Sequence, residues 1–229
     1  MKRREIWLAG AAAWGAASGG WSGATWAAAS ESDAASAIRA ALDRGSSAAI
    51  ELLGRNDGFL GNPKVRIPLP GFLESAAKLM RATGQRKQVD ELVTAMNRAA
   101  EQAVPLAGPL LRDAVKSMSV EDALRLVRGG DTAVTDFFAG KTREPLGVKF
   151  LPIVGQATER VALASKYDAV AGKAAGLGLM KGEDADLKRY VTRKALDGLY
   201  LVIGEEERKI RRDPVGTGSA LLKRVFGGG

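Results

Sequence analysis

Hydrophobic residues recur every three to four positions along most of the chain after residue 33, and this spacing predicts helices. The first predicted helix covers 33–53, and the last is a short amphipathic helix over 219–226. The same spacing predicts helices over 72–80, 89–118 with breaks at Pro105 and Pro109, 120–128, 132–138 and two segments within 142–178. No segment between them is long and polar enough to be a domain linker, so we expect a single domain over 30–229.

A further long helix is predicted from residue 183 to the residues before Pro214, and it contains the most apolar segment of the chain. Leu196–Ile203 carries hydrophobic side chains on nearly every side of that helix, which is typical of a buried helix. We therefore expect this segment to cross the core, with the other helices packed around it and a charged end emerging after Gly204.

Residues 59–70 cannot form a helix, because three prolines restrict the residue before each of them to extended geometry. Within this segment Val65 and Ile67 alternate with basic residues, which predicts a short edge strand or an extended strap. The fold class predicted from these patterns is all-α. We expect one helical bundle of seven to nine helices with a Pro-rich strap over 59–70.

The first 29 residues have the layout of a secretory signal peptide. Three basic residues follow Met1, a run of apolar and small residues extends from Ile6 to Ala29, and the run ends in three alanines that suit signal peptidase. We predict export by the Sec or the twin-arginine route, with cleavage giving a mature periplasmic chain. A membrane anchor is the alternative, although five glycines weaken the run. All four tryptophans of the chain lie within residues 1–29.

The residue types that are missing narrow the possible chemistry. The chain has no cysteine and no histidine, which excludes disulfides, lipoprotein anchoring, thiolate nucleophiles, a Ser-His-Asp triad and imidazole-bound metals. No phosphate-binding glycine motif is present, and we predict neither a metal nor a cofactor. The formal net charge is +8, but acids and bases alternate closely, which is typical of solvated helix faces and argues against a nucleic-acid partner.

Asn97, Arg98 and Glu101 form the first candidate polar cluster. Asn97 and Glu101 are four residues apart and share a helix face, so their amide and carboxylate could converge on a ligand or ion. Arg98 lies on the neighbouring face and could pair with an acid of another helix. The alternative is a structural polar clamp, which a helical bundle needs wherever polar groups are buried.

Asp197 is the second candidate because it lies within the least polar segment of the chain. A carboxylate buried there must be paired, or its pKa must rise until the group is neutral. The residue could then act as a general acid or base. A structural ion pair with Arg98 or Arg193 is the favoured alternative.

Three consecutive acids, Glu205–Glu207, suggest a paired-carboxylate or cation-binding site. Consecutive side chains on a helix point about 100° apart, so the three acids cannot converge by themselves. Glu206 lies one turn before Ile210, and we expect this acid to face the core. The other two acids are expected to form ordinary ion pairs with the bases four residues later.

Several polar residues are better explained as helix caps and turns than as parts of a catalytic or binding site. The residues predicted to form these caps and turns are Asp57, Gly58, Ser119, Asp131 and Thr132. The glycine pair before Asp131 could instead hold an anion at a helix start, but the negative charge of that aspartate opposes this alternative.

Several short motifs together are characteristic of one known family. They are Asn56–Phe59, Asn62–Pro63, Ile67–Pro70, Met96–Glu101, Gly129–Ala133, Ala171–Ala174, Leu196–Tyr200, Glu205–Glu207, Leu222–Lys223 and Val225–Phe226. With these motifs the chain resembles the bacterial exported family catalogued as domain of unknown function 4197, over about 33–227. The resemblance implies export and a mainly helical domain. It implies no activity, cofactor or catalytic residue.

These observations predict an exported, non-catalytic binding or interaction protein of the periplasm or cell envelope. Its partner would be an apolar or amphipathic small molecule held between helices, or an envelope protein. The first alternative is a carboxylate-dependent hydrolase using Asp197, Glu101 and Glu206, which would require two of these acids in one cleft. The second is a peripheral protein that its positive charge attracts to an anionic membrane surface.

Overall fold

A computed structural model describes residues 30–119, 123–176 and 186–227 of the chain. Over these residues the chain forms nine α-helices and one 3₁₀ helix, and no strand. The α-helices are α1 (Glu31–Leu53), α2 (Gly71–Ala82), α3 (Arg86–Ala103), α4 (Gly108–Ser117), α5 (Ala123–Val127), α6 (Ala133–Arg160), α7 (Leu163–Gly176), α8 (Leu187–Arg212) and α9 (Ala220–Phe226), and the 3₁₀ helix covers Val104–Ala107. The all-α prediction is confirmed. The predicted signal peptide over 1–29 and the predicted start of the long helix at 183–185 lie outside the described residues.

Helix α8 is the central helix, and it packs most extensively against α1 and α6. Helices α1 and α8 cross closely at Gly45 of α1 and Ile203 of α8. A Cβ added at Gly45 would lie only 3.1 Å from the Cγ2 atom of Ile203. The apolar segment is nevertheless not buried on all sides. The side chain of Asp197 is 42% exposed and Leu201 is 40% exposed, so these two residues, four apart, lie on one outward stripe. The expectation of a helix buried all round is therefore wrong for this stripe.

Helix α6 is one continuous helix of 28 residues, although the sequence predicted a break after residue 138. Pro145 and Pro152 lie inside it, and both are exposed. A proline within a helix leaves the carbonyl four residues earlier without its N–H donor. On an exposed face such carbonyls can bond water, and the buried face of α6 still packs Phe138, Phe150 and Val154 into the core.

Residues 59–70 form a strap rather than a strand. The chain runs through turns as far as Val65 and is then irregular up to Pro70. Val65, Ile67 and Leu69 are buried, whereas the two residues between them are exposed, which agrees with the alternation seen in the sequence. The strap joins α1 to α2 and lies against α3 and α8, where Phe59 is fully buried beside Gly198.

No helix among the described residues is long and apolar enough to cross a membrane.

Candidate functional site

Asn97 lies on α3 and is fully buried against the strap. Its Oδ1 atom accepts a hydrogen bond from the N–H of Ile67 at 2.8 Å. Its amide group donates to the carbonyl of Ile67 at 2.9 Å and to the carbonyl of Val93 at 2.8 Å. The side chain thus satisfies both backbone groups of Ile67, as a neighbouring strand would. Both amide hydrogens are used within the protein, so neither is free to bind a ligand.

Glu101 lies one turn further along α3 and is 3% exposed. Its Oε1 atom accepts hydrogen bonds from the backbone N–H groups of Phe59 and Leu60, both at 3.0 Å. Its Oε2 atom accepts a hydrogen bond from Arg98 at 2.6 Å, and this bond raises the pKa of Arg98. The same guanidinium donates to the carboxylate of Asp57 at 2.8 Å. We name Asn97, Arg98 and Glu101 the strap clamp.

The contacts of the strap clamp are those of a structural polar clamp. Its partner is the strap and the turn before it, however, and not another helix. The expectation that Arg98 would pair with an acid of a different helix is wrong, because the nearest acids are Glu101 on its own helix and Asp57 in the turn. Asp57 reaches this position with φ +61°, and Gly58 follows it where a Cβ would collide with the carbonyl oxygen of Leu53 at 2.5 Å.

Glu207 is the acid of α8 that faces inward, and it is 3% exposed. Its carboxylate accepts hydrogen bonds from the backbone N–H groups of Val134 at 3.0 Å and Thr135 at 2.7 Å, and from the Thr135 hydroxyl at 2.7 Å. It therefore caps the N-terminus of α6, where negative charge is favoured. Arg211 donates to the same carboxylate at 2.7 and 2.9 Å and reaches the carbonyl of Val127 at the end of α5.

The expectation that Glu206 would face the core is therefore wrong. Its side chain is 16% exposed and forms an ion pair with Lys209. Glu205 pairs across to Lys64 on the strap at 2.6 Å, and not with the base four residues later. Position 207 faces inward because the free N–H groups of α6 lie beside it.

Asp197 is not a buried carboxylate. Because it lies on the outward stripe of α8, it forms an ion pair with Arg143 of α6 at 2.5 Å, and not with Arg98 or Arg193. The expectation of a buried carboxylate is wrong, whereas the favoured structural ion pair forms, with an arginine other than the two expected. The same Arg143 guanidinium lies 4.9 Å from the ring centre of Tyr200.

A buried hydroxyl pair on α6 and α8 was not singled out in the sequence. The hydroxyl groups of Tyr200 and Thr142 lie 2.9 Å apart. The Thr142 hydroxyl also donates a hydrogen bond to the carbonyl of Phe138 at 2.6 Å. Burial raises the pKa of Tyr200. The sequence feature that could have indicated this pair is a tyrosine inside the apolar segment, because a buried phenol needs a hydrogen-bond partner.

The predicted caps divide into three cases. Thr132 occupies the N-cap position of α6, but its hydroxyl donates to Asp136 at 2.9 Å and does not cap the helix, since Glu207 does so. Asp131 is exposed in the turn before it. The cap predicted at Ser119 depends on residues 120–122, which lie outside the described part of the chain.

The structure does not bring the candidate acids together. Asp197 and Glu206 lie on α8, nine residues apart, which corresponds to about 13 Å along a helix axis. Glu101 lies on α3, where its carboxylate is enclosed by Arg98 and by the backbone of the strap. Among the described residues no group of three or more acids is placed to hold a metal ion.

Two open grooves flank α3. The larger, of about 700 Å³, lies between α3 and the start of α7. Its charged groups are mostly paired with one another: Lys166 donates to Glu91 at 2.7 Å, which lowers the pKa of Glu91, and Arg86 donates to Asp90 at 3.1 Å. The smaller groove, of about 360 Å³, lies between the strap, α2 and α3, and we name it the strap groove. The side chains that line it are Arg66, Pro68, Leu69, Glu74, Ala77, Lys78, Arg81 and Val93.

No curated protein and no solved structure matches the chain. One family model, described as a protein of unknown function, matches residues 28–227, nearly the whole chain. The motifs of the sequence that resemble this family include the strap clamp and the Glu207 cap, which have structural contacts in the fold. The chain belongs to the DUF4197 family of proteins of unknown function.

Proposed function

We propose that this protein is an exported, non-catalytic binding protein of the cell envelope, with an amphipathic small molecule as its ligand. The observation that carries this proposal is the use of the two buried carboxylates. Glu101 and Glu207 each accept hydrogen bonds from two backbone N–H groups and from an arginine. A carboxylate held in this way stabilises the fold, and both of its oxygens are already engaged within the protein.

The geometry disfavours the hydrolase alternative. A glycosidase-like pair needs its two carboxyl groups about 5–10 Å apart. Asp197 and Glu206 are separated by about 13 Å along α8, and both are engaged in ion pairs. Glu101 is enclosed on α3. Open grooves on the surface therefore favour binding over catalysis.

The test uses the mature protein purified without detergent from the envelope fraction. We expect mass analysis after denaturation to find a copurifying amphipathic small molecule in a fixed ratio to protein. We also expect no turnover of chromogenic ester, phosphate and glycoside substrates. Turnover that is abolished by Asp197→Asn or Glu206→Gln would overturn the proposal, because neither acid belongs to the strap clamp or to the cap of α6.

A further inference from the structure

We propose that the strap groove binds an anionic head group, and specifically a phosphate monoester that carries a short apolar chain. This inference rests on the proposed function and names the site and the ligand class. Three cations line the groove, Arg66 from the strap and Lys78 and Arg81 from α2. They come from two separate elements that face one another, as the walls of a binding site do.

The charges of this groove differ from those of its larger neighbour. Among the described residues, neither Arg66 nor Lys78 has an ion-pair partner. Arg81 approaches Asp90 only at 3.8 Å, and Arg86 takes the closer bond to that carboxylate at 3.1 Å. In the α3–α7 groove, by contrast, Lys166 is paired at 2.7 Å. The strap groove therefore offers cations that an incoming anion can engage without breaking a strong internal pair.

One acid, Glu74, also lines the strap groove, and it forms no ion pair with any described residue. Three cations and one acid leave a net charge of two positive among the lining side chains. This balance suits a dianion such as a phosphate monoester better than a single carboxylate. Two of the cations are arginines, whose planar guanidinium can donate two parallel hydrogen bonds to phosphate oxygens.

The floor of the groove is apolar. Leu69, Ala77 and Val93 line it and are 7%, 0% and 7% exposed. A cavity of about 360 Å³ has room for a head group and a few methylene groups. The ligand that fits both walls and floor is therefore amphipathic, with its phosphate at the basic rim and its chain against these side chains.

The strap clamp positions one wall of this groove. Asn97 binds both backbone groups of Ile67, and Arg66 and Leu69 lie on either side of that residue. Arg66 is exposed and Leu69 is buried, so the fixed strap directs the cation to the rim and the apolar side chain to the floor. The buried polar contacts of α3 thus connect the fold to the proposed site.

The first experiment measures binding of octyl phosphate, below its micellar concentration, to the mature protein by isothermal titration calorimetry. Octyl glucoside and inorganic phosphate serve as the uncharged and chain-free probes. We expect octyl phosphate to bind at one site, the other two probes to bind far more weakly, and binding to weaken with salt. No binding of octyl phosphate to the wild type would overturn this inference. It would leave the proposed function to be decided by the copurification and turnover tests.

A pair of charge-matched variants locates the site. The first variant carries Arg66→Gln, Lys78→Gln and Arg81→Gln. The control carries Arg112→Gln, Lys116→Gln and Arg128→Gln, which removes the same charge from exposed side chains that do not line the strap groove. We expect the first variant to lose about tenfold or more in affinity and the control to change less than about twofold. Equal losses would show non-specific attraction and overturn the inference.

A gain-of-affinity variant excludes misfolding as the explanation. Glu74→Gln removes the one acid of the groove, and we expect octyl phosphate to bind several-fold more tightly. Glu144→Gln removes an exposed acid on α6 and should leave the affinity unchanged. Unchanged or weaker binding by Glu74→Gln would contradict the site.

Vesicles separate the two sources of such a head group. If vesicles that contain phosphatidic acid, whose head group is a phosphate monoester, compete with octyl phosphate and phosphatidylcholine vesicles do not, and if competition requires Arg66, Lys78 and Arg81, the head group in the groove comes from a lipid in a bilayer. If octyl phosphate binds and neither vesicle competes, the ligand is a free amphipathic phosphate. Vesicle binding that both charge-matched variants lose equally, without a site for octyl phosphate, would contradict the inference and favour general attraction to anionic membranes.

Discussion

Neighbouring acids on α8 have different roles because a helix turns each side chain about 100° from the previous one. Glu205 and Glu206 are partly exposed and pair with exposed lysines, and such partly hydrated ion pairs contribute little to stability. Glu207 points to the N-terminus of α6 and joins that helix to α5 through Arg211. One carboxylate therefore connects three helices, and its removal should affect the whole fold.

We expect Glu207→Gln to lower the free energy of unfolding by about 3 kcal/mol, because it leaves the largely covered guanidinium of Arg211 without its counter-charge and weakens the cap of α6. Glu206→Gln is the matched control on the same helix and should cost less than about 1 kcal/mol. Urea unfolding of both variants at neutral pH measures the difference. Equal costs would show that the buried network does not stabilise the fold.

Because Tyr200 is buried, we expect the stability of the folded protein to depend on pH in the alkaline range. Burial raises the pKa of this phenol in the folded state above its ordinary value of 10.0. The folded state then holds the proton more tightly than the unfolded state, so the contribution to stability is complete below pH 10 and is lost as the pH rises beyond it. Tyr200→Phe should cost about 1 kcal/mol at neutral pH through the lost hydrogen bond with Thr142.

The same variant should lose stability less steeply above pH 10, since the titrating group has been removed. The check is a series of urea titrations of wild type and Tyr200→Phe at increasing pH, in which all other alkaline groups are common to both proteins. Parallel curves would contradict the assigned role of the buried phenol.

The sequence indicated that one acid of Glu205–Glu207 faces the core, but it did not identify which one. Positions 206 and 207 both lie about one turn before Ile210, so the hydrophobic stripe does not separate them. The separation comes from the N–H groups of α6, which lie about 70 residues away in the chain. The predicted burial of Asp197 was wrong for a related reason. A segment that is apolar on nearly every side does not show which side of its helix has no neighbouring element.

At the scale of elements, the strap packs closely on α8. A Cβ added at Gly198 would lie 2.8 Å from the Cε1 atom of Phe59, which is fully buried. We expect Gly198→Ala to destabilise the protein by about 1–3 kcal/mol.

The control for this substitution is Gly140→Ala on α6. A Cβ there would meet no atom within 4 Å, so the variant should gain about 0.5–1 kcal/mol from helix propensity. Thermal unfolding followed by circular dichroism measures both effects. A stabilised Gly198→Ala would show that the strap does not pack on α8 in solution.

The sequence predicted the secondary-structure elements better than it predicted which elements pack against each other. Three prolines were enough to exclude a helix over 59–70, and the alternation of Val65 and Ile67 with basic residues was enough to identify the buried side of the strap. The partner of the strap was not predictable, because Asn97 replaces a neighbouring strand with a side-chain amide. The break expected after residue 138 was wrong because packing of α6 on α3 and α8 overrides the local weakness of Gly140 and Pro145.

At the scale of the whole molecule, the side chains of Asn97, Glu101 and Glu207 lie where backbone groups of another element would otherwise be without partners. The strap clamp satisfies the backbone of a segment that has no neighbouring strand, and Glu207 satisfies the first N–H groups of α6. These contacts give structural roles to polar residues of the Met96–Glu101 and Glu205–Glu207 motifs. The binding function proposed above would depend on the surface that these contacts shape.

Export can be tested through the tryptophans of the chain. All four lie within residues 1–29, whereas all three tyrosines lie beyond them. If the predicted signal peptide is removed, protein isolated from the periplasm will emit only tyrosine fluorescence and begin at Ser30. A precursor with the peptidase site blocked by Ala27→Arg and Ala29→Arg is the control, and it should retain tryptophan emission. Tryptophan emission from the mature envelope protein would contradict cleavage and favour the membrane-anchor alternative, in which the segment 1–29 holds the domain at the bilayer surface.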